Sequence, residues 1–296
     1  MEGVMMRSPN FWGMAVRTPS GDVDVKAEPF RSVTRRNRLL RLPIIRGFIS
    51  LAETLWLGMK ALTLSTNVAL GEEEDLSKKE IAVTLIFGLG LAVLLFLAAP
   101  VWGTKGLEVL FGESIESPIL FNLVEGALRI LIFMAYLVGI TAISRDIKRF
   151  FAYHGAEHKA IKVYERGEDL IPENARKLDT SHVRCGTSFI LYVLILSIFV
   201  FSLLGVEGWA EMILSRIAIV PLVAGLAFEF IMWSARNQRN LIVKVLIWPG
   251  LQLQKLTTRE PTDDMVEVAM ASLKGVLTKE DEARIAPNEA TNKLII

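Results

Sequence analysis

Four apolar blocks constrain this chain more than any other feature: Ile81 to Trp102, Ile119 to Ile143, Ser188 to Gly205 and Met212 to Ser234. Each approaches or exceeds the roughly 18–20 residues a helix needs to cross the hydrocarbon core of a bilayer. Four such blocks are hard to bury in a soluble chain of 296 residues. The 52% hydrophobic content sits in these blocks, while the ends and the middle stay charged and polar. The pattern predicts a mainly α, multi-pass membrane helix bundle of about four spans plus interfacial helices. A small α+β cytoplasmic part, including an N-terminal β-meander, completes the expected fold.

Loop charges orient the spans. Gly103 to Pro118 and Val206 to Glu211 hold one basic residue between them, Lys105, whereas Arg145-Asp-Ile-Lys-Arg149 and the Arg236 to Lys244 stretch are rich in them. The positive-inside rule therefore puts both termini and the Ser144 to Thr187 segment in the cytoplasm. The net charge of +1 argues against a nucleic-acid partner. A single cysteine, Cys185, excludes an intrachain disulfide framework. The first 30 residues lack an apolar core of signal-peptide type, so the N-terminus is expected to stay in the mature chain.

The remaining sequence divides around the spans. Residues 1–45 combine a meander and a basic linker: Met14 to Thr18 and Val23 to Ala27 alternate with period two, and Pro19-Ser-Gly-Asp22 supplies turn chemistry. Residues 46–66 read as an amphipathic or re-entrant helix, in which Arg46, Glu53 and Lys60 fall seven apart and so share one stripe; if this helix crosses as well, the N-terminus moves outside while the middle and C-terminal segments keep their side. Residues 81–143 and 188–234 are the two membrane helix pairs, with 144–187 between them. Within the spans, Glu125 and Arg129 lie four apart and are expected to pair. Arg216 sits near the outer end of the fourth span, and Glu229 near its cytoplasmic end. In 235–296, Leu241 to Leu256 is apolar but interrupted at Pro249-Gly250, which predicts a broken, interfacial segment. A helix over Met265 to Leu277 follows, and the tail from Ala286 to Ile296 is expected to be loosely ordered.

The candidate chemistry is concentrated. All three histidines of the chain, His154, His158 and His182, fall within 29 residues, and Cys185 follows three positions later. In Tyr153-His-Gly-Ala-Glu-His158, a helix puts His154, Glu157 and His158 on one face. Two imidazoles at that spacing suit Zn²⁺ or another divalent transition metal, with Glu157 as a general base. His-x-x-Glu-His is also the signature order of the inverzincin peptidases. His182 and Cys185 are both candidates to complete the ligand set. A His₃ site open to water would suit catalysis, and a His₃Cys site would be closed and structural. In the alternative without metal, Cys185 is a small buried residue and His182 a capping contact. Glu165, Glu168, Asp169, Glu173 and Asp179 lie nearby, mostly as a solvated face. Glu165 or Glu229 are candidates for an extra ligand or for orienting a ligating histidine.

Glu2-Gly-Val-Met-Met-Arg7, Tyr153 to His158, His182 to Ser188 and Pro249-Gly-Leu-Gln252 with Thr257-Thr-Arg-Glu-Pro261 together resemble the bacterial YqhQ-like membrane proteins (DUF1385), over nearly the whole chain. The resemblance implies a predicted metal-dependent enzyme. Val183 departs from the family's usual proline, which loosens the loop that carries Cys185.

Two functions compete at this stage. One is a membrane-embedded zinc hydrolase acting on a membrane-bound peptide or lipid-linked substrate, with His154, His158 and His182 holding the zinc and Glu157 as base. The other is a non-catalytic assembly or scaffold protein whose metal is structural. Homo-oligomerisation and any protein partner are left open, and transport is disfavoured by the scarcity of polar groups in the spans.

Overall fold

The computed structural model describes residues 2–70, 78–111, 117–204 and 209–285. The N-terminal segment forms an antiparallel meander, β1 (Gly3–Arg7), β2 (Phe11–Arg17) and β3 (Val23–Pro29), in the order β1-β2-β3. Met14 is the cross-strand partner of both Met5 and Lys26. Gly21, with φ +94°, takes the left-handed turn position between β2 and β3. Both strands expected from alternation are present, and β1 arises from the Glu2 to Arg7 motif.

Helices cover both faces of the sheet. On one face, Val4, Met6 and Ala15 pack into a core with α5 (Arg145–Glu165) and α10 (Asp263–Ile285). A Cβ on Gly13 would come within 2.7 Å of the Val276 methyl, so glycine lets α10 lie directly on β2. On the other face, Trp12, Met14 and Val16 pack against Leu57 and Ala61 of α1 (Ile45–Leu70). Each such fully buried side chain contributes about 1.5–3 kcal/mol.

The charged stripe of α1 docks the helix. Arg46 binds both carboxylate oxygens of Glu229, at 2.6 and 2.5 Å. Glu53 takes Arg7 at 2.7 Å on one oxygen and the Val33 amide at 2.7 Å on the other. Lys60 reaches Glu28 at 2.5 Å. Three contacts on one face thus tie α1 to β1, β3 and α8 (Trp209–Arg236). α1 is not among the helices with the length and apolarity of a span.

Among the described residues, the four helices of that kind cover Ala82–Leu110, Ile119–Ile143, Gly186–Leu203 and Leu214–Arg236. The first is built from α2 (Lys78–Val93), a π turn over Leu94–Ala98, and α3 (Ala99–Phe111). Its helix runs past Trp102, where the sequence block ended. Pro100 lacks an amide hydrogen, and the wider π turn beside it accommodates the missing bond. The other spans are α4 (Pro118–Ile143), α7 (Gly186–Leu204) and α8; the short α6 (Pro172–Arg176) lies between α5 and α7 in the chain, α7 packs against both α4 and α8, and α8 also against α1. Glu125 pairs with Arg129 as expected. Arg216 joins them at 3.2 Å from Glu125, so the buried charges bridge α4 and α8.

One expectation fails. Pro249-Gly250 does not break the C-terminal apolar stretch, which is one helix, α9 (Leu241–Thr257). A Cβ on Gly250 would collide with the Tyr192 hydroxyl and Ser188, so that residue marks where α9 rests on α7. α9 still leaves Leu241, Ile242, Val245 and Trp248 exposed on its outer face. Because the sheet contacts α5 and α10, the N-terminal, middle and C-terminal polar segments lie on one side of the four spans. The Ala286 to Ile296 tail lies outside the described residues.

Candidate metal centre

α5 begins where α4 ends. Ser144 caps it, accepting the Ile147 amide at 3.2 Å, and Asp146 occupies the positive first turn. Gly155, Ala156 and Ala160 give α5 a flat face on which other chain segments can lie. The Arg259 amide donates to the Phe151 carbonyl at 2.9 Å, and a Cβ on Gly155 would run into the Arg259 carbonyl oxygen. The Thr257 to Pro261 segment therefore crosses over the middle of the His-Gly-Ala-Glu-His motif.

That crossing orients the first histidine. His154 Nδ1 bonds the Thr257 carbonyl at 2.8 Å, and His158 Nδ1 bonds the Thr180 carbonyl at 2.6 Å. A carbonyl oxygen only accepts, so each ring carries its proton on Nδ1 and keeps a lone pair on Nε2. This backbone anchoring is the usual outer support of metal-ligating histidines. His154 Nε2 lies 3.4 Å from Cys185 Sγ. The ligand atoms of His154, His158 and Cys185 all fall within 4.8 Å of one another. Cys185 is buried. Burial pushes its thiol up, but its contacts with His158 and Thr187 outweigh this and leave it below the ordinary thiol value. His158 is pushed down, chiefly by burial, and so favours the neutral form that a metal needs.

His182, the other candidate ligand, stands beside this group. Its ring centroid is 5.7 Å from that of His158. Gln254 clamps its backbone through both amide and carbonyl, at 2.7 and 2.8 Å. Its Nε2 faces Glu165 at 3.3 Å, and its Nδ1 accepts the Arg184 amide at 3.3 Å. Burial pushes its pKa down to about 4. Glu165 also pairs with Arg184, and Glu229 is held by Arg46. Neither carboxylate is among the three convergent groups.

Glu157 shares the face of α5 with the histidines and makes no hydrogen bond among the described residues. Desolvation raises its carboxyl above the ordinary range, opposed by the nearby His154 and His182. It lines a cavity of about 440 Å³ together with His154 and Thr187. The opposite walls are apolar: Val4, Met14 and Val16 of the sheet, and Ala61 and Leu62 of α1. Motif spacing marked His154, Glu157, His158, His182 and Cys185, and of the four expected ligands His182 stays outside the convergent group. Gln254, Thr257 and Thr180 went unassigned because two of them act through backbone carbonyls, although Thr257 lies in a motif that the sequence displays.

Comparison with known proteins finds similarity over almost the whole chain. The family model described as "Protein of unknown function (DUF1385)" matches residues 42–279. The uncharacterized protein YqhQ of Bacillus subtilis (strain 168) is 31% identical over 293 residues, covering 95% of this chain and 91% of the relative. Neither description carries the metal-dependent activity that the resemblance implied. No solved structure matches.

Proposed function

The chain belongs to the DUF1385 family, and from that premise we propose that it is a membrane-embedded, metal-dependent hydrolase with its centre on the cytoplasmic side of the plasma membrane. The observation that carries this reading is the convergence of His154, His158 and Cys185 beside an unpaired carboxylate and an apolar cavity. Two anchored imidazoles and a thiolate fit zinc. Three protein ligands leave a position free, as catalytic rather than closed structural sites do. When bound, the metal would supply Lewis acidity.

The chain's own residues supply the rest. Glu157, whose carboxyl is raised above the ordinary range by burial, stands beside the centre as the group that takes and returns a proton. The Thr257 and Thr180 carbonyls hold the histidine rings in one tautomer. The sheet and α1 form an apolar wall that receives the hydrophobic part of a membrane-resident substrate. His182 orders the loop that carries Cys185, through Gln254 and Glu165.

The test is metal content of full-length protein purified in detergent. One equivalent is expected in wild type and in Glu157→Gln. Loss of most of it is expected in His154→Ala, His158→Ala and Cys185→Ala, with retention in His182→Ala. Wild type without stoichiometric metal would sink the reading. If Cys185→Ala both released the metal and unfolded the protein while Glu157→Gln left in vivo function intact, the centre would be structural and the protein a scaffold.

A further inference from the structure

A second cavity, of about 510 Å³, lies between α1, α8 and the loop that precedes α7. Three arginines from these separate elements line it: Arg46, Arg184 and Arg236. Glu165 is the one carboxylate in the lining, so its charged groups carry an excess of two positive charges. Counting Glu229, which sits against Arg46, the excess is still one. Arg236 makes no ion pair among the described residues and stands exposed at the last turn of α8. Arg46 and Arg184 keep 41% and 18% of their side chains exposed despite their partners.

The position of the cavity limits what can fill it. It sits where α8 leaves its apolar span, on the side of the sheet. Trp233, 48% exposed on the same turn, marks the depth of the membrane interface. Phe228 and Met232, four apart on α8, give the cavity an apolar wall below the arginines. Guanidinium groups above an apolar wall, at headgroup depth, match a phosphodiester with the start of its acyl chains. Basic residues that only obey the positive-inside rule would line the end of a span. Here two of the three arginines come from elements outside the four candidate spans.

We propose that this cavity binds the phosphate of an anionic membrane phospholipid, with Arg236 and the free edges of Arg46 and Arg184 as donors. The site stands independently of the metal reading, because none of the three convergent ligands lines it.

The experiment uses full-length protein in detergent, titrated by native mass spectrometry with short-chain phosphatidylglycerol, phosphatidylcholine and inorganic phosphate. Saturable binding of one phosphatidylglycerol is expected, stronger than binding of phosphatidylcholine. Arg236→Gln, at an exposed position that leaves folding undisturbed, is expected to weaken it by about tenfold, as loss of a charge-assisted contact does. Arg239→Gln and Lys244→Gln, exposed basic residues in the turn after α8 and the first turn of α9, are expected to change it less than about twofold. Equal losses in those controls and in Arg236→Gln would reduce the effect to general surface charge and overturn the site. Absence of saturable binding would overturn it as well. Inorganic phosphate binding as tightly as the lipid would overturn the lipid assignment.

Discussion

At the scale of single residues, two positions beside the histidines carry more of the local structure than the motif suggests. Gly155 is glycine because the Arg259 carbonyl crosses α5 there. Gly155→Ala sets a methyl against backbone that cannot swing aside, and is expected to cost about 1–3 kcal/mol. Because the displaced segment holds His154 through Thr257, metal content should fall with the melting temperature, and both are measured on the same purified sample. Lys159 is fully buried, yet its ammonium pairs with Glu260, whose own side chain is largely exposed. Glu260→Ala leaves that ammonium without its partner and is expected to destabilise the protein by about 1–3 kcal/mol. Lys159→Met removes the charge along with the need for a partner, so a thermal melt should show the smaller loss for it. The spacing of His154, Glu157 and His158 was legible because side chains on a helix repeat at a known angle. Lys159 was not, because nothing in a sequence shows that a lysine on the same helix is enclosed by a distant segment.

At the scale of elements, the contrast lies between α1 and α9. The seven-residue stripe of Arg46, Glu53 and Lys60 foretold a charged face on an apolar helix, and the structure supplies a different element as partner for each charge. The pairs differ in weight. Arg7 and Glu53 are each only 9% exposed, so Glu53→Gln strands a buried guanidinium and an amide, at an expected cost of about 1–3 kcal/mol. Lys60 and Glu28 are 36% and 46% exposed, and Lys60→Gln is expected to cost less than about 1 kcal/mol. Chemical or thermal unfolding of the two variants side by side measures that difference. In α9, Pro249 and Gly250 suggested a break because both disfavour helix when propensity is all that is known. The support of α7 at Gly250 decides otherwise: the glycine brings the two helices together, and the packing outweighs the propensity cost.

At the scale of the whole molecule, the sheet, α5 and α10 form one core that requires the N-terminal, middle and C-terminal segments to share a side of the bilayer. Single cysteines introduced at Ser20 and at Asn240, both exposed, are therefore expected to react with an impermeant maleimide from the same side. On the positive-inside reading, that side is the cytoplasm, so intact cells should protect both and permeabilised cells neither. Native Cys185 is buried and should add little background. Labelling of one introduced cysteine from outside and the other from inside would contradict the four-span arrangement.

The sequence by itself determined the four apolar spans, the sheet and the histidine pair. All of these follow from local periodicity or from length against bilayer thickness. Tertiary structure decided what depends on contacts between distant segments. It brought Cys185 rather than His182 to the two histidines, because Gln254, 72 residues from His182, clamps the loop between them. It gave Glu229 to Arg46, 183 residues away, and kept α9 continuous across its proline. Residue spacing carries no record of such pairings, because each depends on the backbone of one segment being delivered to the side chains of another.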